Sequence, residues 1–184
     1  DGKEEATFGA IAAKNLLHNI AECVTIDIGG GSTELARISK GKIIDTLSLD
    51  IGTVRLKELF FDKKNLNKLP KFLEQVTKQI DERFKCQNII AIGGSLRAIS
   101  SAIMSKNLYP LSSLHGFCYK LSDEQAYIES IANVSVLELN KFPIKKDRYD
   151  TIREGAHIFL ALAEALNAKN IITSGVGVRE GVFL

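Results

Sequence analysis

Ile26-Asp27-Ile28-Gly29-Gly30-Gly31-Ser32-Thr33-Glu34 is the stretch on which the fold turns. Cys23 to Ile28 reads as a strand and Thr33 to Ile38 as its returning partner, because both runs are rich in β-branched and apolar residues and three glycines separate them. Consecutive glycines also let backbone N–H groups converge on an anion with no side chain in the way. The loop is therefore either a plain hairpin turn or a phosphate cradle, and the glycines alone do not choose. The flanking acids favour the cradle. In simple register around a four-residue loop, Ile28 faces Thr33 and Asp27 faces Glu34, and like charges about 5 Å apart at Cβ are destabilising. A nearby cation resolves that conflict. Mg²⁺ suits the pair, since it takes one or two carboxylates and completes its shell with substrate oxygens and water. The loop lacks the Gly-Lys-Ser/Thr ending of a Walker motif and leads into a strand, which excludes kinases and GTPases of that class.

Outward from this hairpin, Ser39-Lys40-Gly41 forms a second turn and Lys42 to Leu49 a third strand of alternating polarity, completing an antiparallel meander. Upstream, Asp1-Gly2-Lys3-Glu4-Glu5-Ala6 places acids in a first helical turn, where the helix dipole favours them. Phe8, Ile11, Ala12, Leu16 and Ile20 recur at helical spacing and predict a helix over about Glu4 to His18 with that stripe buried. Downstream, helical periodicity covers Val54 to Phe61 and Leu66 to Phe84. Asn88 to Ile92 is a short apolar strand, followed by Gly93-Gly94-Ser95 and a helix to about Met104. Past Tyr109-Pro110 come helices at Ser122 to Ala132, through Leu137, and over Arg148 to Leu166. A strand at Asn170 to Thr173 and a terminal helix after Gly175-Val176-Gly177 close the chain. Short apolar strands alternating with helices pair in parallel, so the expected class is α/β: a mixed five-stranded sheet with a three-strand antiparallel meander and flanking helices.

The 184 residues, 45% hydrophobic and 25% charged, match one globular domain rather than a disordered or fibrous chain. A net charge of +2 is too small for nucleic-acid binding by bulk electrostatics. No apolar run approaches the ~20 residues that span a bilayer, and a cytoplasmic location is expected, with neither membrane nor nucleic acid as partner. Cys23, Cys86 and Cys118 lie far apart, which supports neither a zinc knuckle nor a disulfide framework and predicts inert, partly buried thiols. His18, His115 and His157 show no ligand spacing and read as surface or packing residues. Several other positions keep two readings. Glu4 and Glu5, taken alone, are a solvated helix start. Arg55, just after a glycine, is either a bidentate phosphate ligand or a surface arginine. Gly93, Gly94 and Ser95 form an anion or nucleotide site at a helix start, or a plain turn. Lys63, Lys64, Lys68 and Lys71 track a polyanion or form a solvated face. Asp50 has no assigned role.

In order along the chain, Lys3-Glu4-Glu5-Ala6, the run Ile26 to Leu35, Gly52-Thr53-Val54-Arg55-Leu56, Gly93-Gly94-Ser95 and Arg179-Glu180-Gly181-Val182 resemble the motifs of the exopolyphosphatase and guanosine pentaphosphate phosphohydrolase (Ppx/GppA) family. The resemblance implies an RNase H-like, actin-like ATPase domain. It implies that Glu5, with Glu4 as second candidate, activates the attacking water, and that Asp27 and Glu34 hold Mg²⁺ or orient water. Gly29, Gly30, Gly31, Ser32 and Thr33, with Arg55, Gly93, Gly94 and Ser95, would bind phosphate. The implied reaction releases terminal phosphate from inorganic polyphosphate or pppGpp, an activity tied to the stringent response.

In that superfamily two related domains close over the substrate, the first with its own Asp-x-Gly loop. Here the triplet occurs only at Asp27 and Asp50. Residues 1–184 are therefore expected to be a single domain, the C-terminal half of a two-domain phosphohydrolase. The missing N-terminal domain is a partner, and a homodimer stays open. Two alternatives remain: an ATP-binding actin-like kinase or chaperone module, and a non-catalytic nucleotide sensor. Thr33-Glu34-Leu35 and the short Gly93-Gly94-Ser95 weigh against the first, the joint presence of Glu5, Asp27 and Glu34 against the second.

Overall fold

The computed structural model describes residues 2–17 and 20–184, so the expected helix end at His18 lies outside the described residues. The meander adopts the expected register. Strand β1 (Cys23–Ile28) runs antiparallel to β2 (Thr33–Ser39), and β2 to β3 (Lys42–Leu49). Two short apolar strands, β4 (Asn88–Ile92) and β6 (Asn170–Thr173), extend the sheet in parallel from β1. The apolar runs inside them, Ile89 to Ile92 and Ile171-Ile172, suit strands covered on both faces. A sixth strand, β5 (Cys118–Lys120), pairs antiparallel with β6 and gives the order β3-β2-β1-β4-β6-β5, where five strands were expected. Three residues are too few to show a period of two, and the hydrogen bonds offered by the edge of β6 hold this segment extended.

The helices are α1 (Gly2–Leu16), α2 (Thr53–Leu56), α3 (Leu69–Thr77), α4 (Gly94–Lys106), α5 (Leu121–Asn133), α6 (Ile152–Ala165) and α7 (Val178–Gly181). Helix α2 continues as a wider π-type turn over Lys57–Phe61. The segment expected as one helix from Leu66 to Phe84 is shorter, with 3₁₀ turns at both ends; the second is capped by the Asp81 carboxylate, which accepts from the Arg83 N–H. The helix expected through Leu137 is a 3₁₀ segment, Val136–Lys141. Helix α6 starts at Ile152 rather than Arg148, since Thr151 sits outside helical geometry.

Side-chain alternation divides the sheet between two cores. Val24, Ile26, Leu35, Ile89 and Ala91 face the larger one, with Phe159 and Leu162 of α6 and Ile99 and Ile103 of α4. Cys23, Ala36, Ile38, Ile90 and Ile92 face α1. The residues buried there are Ala6, Ala10 and Ala13, with Leu17 just past the helix end; of the stripe expected, Ala12 is buried and Ile20 is partly buried against this core, whereas Leu16 is 41% exposed. Small side chains let the helix lie close to the sheet and let α7 cross it. A Cβ on Gly181 would overlap the Phe8 carbonyl, which explains the glycine of the Arg179-Glu180-Gly181 motif by packing. Gly181→Ala is expected to cost about 1–3 kcal/mol by overpacking, read as a lower urea midpoint at unchanged slope.

Candidate functional site

The site forms where β1 and β4 end side by side and their chains diverge, β1 into the hairpin to β2 and β4 into α4. Open α/β sheets form crevices at such points. The glycine loop is closed by the Gly29 N–H, which donates to the Ser32 carbonyl at 3.0 Å. Thr53 N–H donates to the Gly29 carbonyl at 2.9 Å, and Val54 and Arg55 N–H to the Gly30 carbonyl at 2.9 and 3.1 Å.

Asp27 and Glu34 are opposed in the ladder, as expected. Ladder parity explains which way they point. Residues 23, 25 and 27 of β1 share a face, Glu34 shares one with Ala36 and Ile38, and that face is the one under α1. Helix α1 therefore brings Glu5 to the two acids. The helix start abuts them directly: a Cβ on Gly2 would collide with Ser48 and lie 3.6 Å from Glu34 Oε1. Ser48, opposite Glu34 on β3, donates to that oxygen at 3.1 Å.

The electrostatics record this convergence. Burial pushes the Asp27 carboxyl up to about 6; the Glu34 charge adds to the rise, Arg97 opposes it, and Glu5 adds again. Burial also raises Glu34, opposed by hydroxyl donors from Ser32 and Ser48 and reinforced by the charge of Glu5. Three carboxylates thus feel one another around one loop. Among the described residues no set of three acidic, histidine or cysteine side chains cages a metal by itself.

The other sequence candidates take varied places. Ser32 donates to Glu34, as above. Thr33 is fully buried and its hydroxyl donates to the Ile51 carbonyl at 2.6 Å, so it ties the loop to the chain after β3 and does not face the crevice. Gly93, at φ 89°, lies against the Asp27 carboxylate with no room for a Cβ. At Gly94 a Cβ would stand 2.5 Å from Arg148 Nη1. Ser95 is buried against Gly155 of α6. Arg55 donates to the Asp50 carbonyl at 3.4 Å and pairs with the exposed Asp50 carboxylate at 3.6 Å. Glu4 is exposed in the first turn of α1 beside Glu5; Lys63, Lys64 and Lys68 are exposed on the segment leading into α3 and Lys71 in its first turn. His115 links two elements: Nδ1 accepts from Gly175 N–H at 3.1 Å, which leaves Nε2–H to donate to the Leu16 carbonyl at 3.0 Å. His157 stacks on Phe61 and burial lowers its pKa. Cys23 is buried and pushed up to about 12, whereas Cys118 is exposed rather than partly buried.

Sequence reasoning missed the arginines. Arg97 donates to the Gly175 carbonyl at 3.2 Å and its charge acts on both Asp27 and Glu180. With Lys145 and Arg148 it lines a pocket of about 240 Å³ walled by Leu114, Pro143 and Ile144. Arg97 stands one turn inside the helix opened by Gly94, and that spacing was a usable signal. Arg148 joins only through tertiary packing.

A mixed sheet of this order, with a glycine hairpin flanked by opposed acids and a second glycine turn at the next strand end, is a domain of the actin-like α/β type. The full chain, residues 1–184, matches the Ppx/GppA phosphatase family. It is 31% identical over 199 residues to a guanosine-5'-triphosphate,3'-diphosphate pyrophosphatase of Pseudoalteromonas translucida, covering 98% of this chain and 38% of the relative. The crystal structure of the Aquifex aeolicus Ppx/GppA family member superposes with a TM-score of 0.80 at 26% identity, covering 98% of this chain and 61% of that one. An exopolyphosphatase from Cytophaga hutchinsonii shares the fold at a TM-score of 0.84 and 18% identity, over all of this chain and 62% of that one. This chain belongs to the Ppx/GppA family, and it spans under two-fifths of the length of the curated relatives it matches.

The raised Asp27 pKa sets a pH dependence in metal-free solution. Below about pH 4 the carboxyl is protonated folded and unfolded, so it has no effect. As pH rises toward 6 only the unfolded state ionises, so stability falls, and above 6 the full penalty stays. Asp27→Asn is expected to flatten that decline and to stabilise the metal-free protein at pH 7.5 by on the order of 2 kcal/mol, measured by urea unfolding across pH 4–8.

Proposed function

We propose that this domain supplies the water-activating and phosphate-holding half of a phosphohydrolase that removes terminal phosphate from inorganic polyphosphate or pppGpp, and that it works with an N-terminal partner domain of the same protein. The observation that carries the reading is the electrostatic meeting of Glu5 with both Asp27 and Glu34 beside the glycine loop. Three acids held together at a bare-backbone turn destabilise a fold unless they do chemistry on a bound cation and anion.

The loop N–H groups of residues 29–32 would receive the non-bridging oxygens of the terminal phosphoryl group. Glu5, on a rigid helix and exposed at its first turn, accepts the proton of the attacking water. The water oxygen bonds to the terminal phosphorus, the bridging P–O bond breaks, and the shortened chain or nucleotide leaves with that oxygen. Asp27 and Glu34 would hold Mg²⁺, which neutralises the charge accumulating on the phosphoryl oxygens. This division of labour suits a reaction that demands positioning and charge neutralisation above all. Arg97, Lys145 and Arg148 lie beyond the second glycine turn, and they would take the distal phosphates.

Glu5→Gln in the full-length protein is expected to lower phosphate release by about 10²–10⁴-fold, the worth of a positioned general base, with Tm unchanged. Release from polyphosphate and pppGpp is compared with and without Mg²⁺. A Glu5→Gln protein as fast as wild type on both substrates sinks the assignment.

A further inference from the structure

We infer that the Gly52–Arg55 turn is the positioning element of the glycine loop, and that Gly52 sets the direction in which the loop's N–H groups point. The inference rests on the phosphohydrolase reading above. It begins with the three hydrogen bonds from Thr53, Val54 and Arg55 to the carbonyls of Gly29 and Gly30. The described peptide bonds are trans. In a trans peptide the C=O and the N–H that follows it point in opposite directions across one rigid plane. Fixing the Gly29 and Gly30 carbonyls against α2 therefore turns the N–H groups of Gly30 and Gly31 away from α2. Neither N–H has a partner among the described residues. Gly31 has open space where a Cβ would be, so an anion can approach. The same three bonds use the first free donors of the helix that starts at Thr53. Those donors orient the loop and are not left for the substrate.

Gly52 makes this contact close. A Cβ there would overlap the carbonyl carbon and oxygen of Gly30 and stand 2.5 Å from the Gly31 nitrogen. Its backbone, φ −146° and ψ 170°, is extended and open to any residue. The proximity of the Gly30–Gly31 peptide requires glycine, and an added methyl meets that peptide first. The turn has little room to retreat. The Thr33 hydroxyl holds the Ile51 carbonyl on one side. On the other, Gly155 of α6 sits beneath Thr53 and Ser95, where a Cβ would be 3.6 Å from Thr53 Cγ2 and 2.7 Å from Ser95 Cβ. Displacement by the methyl is therefore passed to the loop. Thr53 adds a weaker hold through its hydroxyl, which donates to the Gly29 carbonyl at 3.4 Å.

The test uses full-length protein carrying Gly52→Ala, with kcat and KM on polyphosphate and pppGpp, Kd for inorganic phosphate by calorimetry, and Tm. The expected result is a fall in kcat/KM of about 10²-fold, the size of losing one preorganised backbone donor, together with weaker phosphate binding and a cooperative unfolding transition. A folded Gly52→Ala protein within about threefold of wild type in kcat/KM overturns the inference while leaving the function intact. A wild-type protein that hydrolyses neither substrate overturns the functional reading instead. Should Gly52→Ala fail to fold, Thr53→Val and Thr53→Ser decide: Val, which keeps the buried volume, is expected to raise KM several-fold and Ser to restore it. Equal KM for wild type and Thr53→Val then overturns the inference.

Discussion

The rest of the structure is arranged around two carboxylates forced together on a buried face. Asp27 and Glu34 are opposed across the ladder and α1 covers them, so desolvation acts on both and the Glu34 charge raises Asp27 further. Such a pair weakens a fold and persists when its surroundings moderate the charge or a bound group uses it. The surroundings moderate it only partly. Ser32 and Ser48 donate to Glu34, and the charge of Arg97 acts on Asp27. What remains is the Asp27 carboxyl, its pKa pushed up to about 6.

Close packing around this pair comes from residues with little or no side chain. The alanine stripe of α1 lets the helix start come down on Ser48 and Glu34, so that Glu5 adds its charge to both acids. Gly93 admits the Asp27 carboxylate, Gly94 admits the Arg148 guanidinium, and Gly52 admits the loop backbone. At each of these places a methyl group would occupy space that another group's atoms already hold. Around the loop, Gly30 and Gly31 expose backbone to solvent, whereas Gly52, Gly93 and Gly94 let another group approach.

Charge is sorted around the loop. The acids gather on the α1 side of the sheet, and the bases Arg97, Lys145 and Arg148 gather at the entrance to α4 and the approach to α6.

Much of this was legible in the residues. The meander register followed from composition and loop length, and with it the opposition of Asp27 and Glu34, because antiparallel pairing across a tight turn is a local property. The motif order placed the chain in its family, and short apolar runs announced β4 and β6. Other features depended on neighbours. The edge strand β5 takes its conformation from the ladder of β6, and the buried stripe of α1 is set by how near the helix must come to the sheet. Thr33 looked like a phosphate ligand and proved to be a buried tie, since burial of a hydroxyl depends on what lies above it. Sequence by itself determined the chemistry available at the hairpin, a bare backbone flanked by acids. Only tertiary structure decided that Gly52 meets that hairpin, that Arg148 meets Gly94 and that Gly155 meets Ser95 and Thr53, because contacts between segments distant in the chain arise from packing and leave no local periodicity to read.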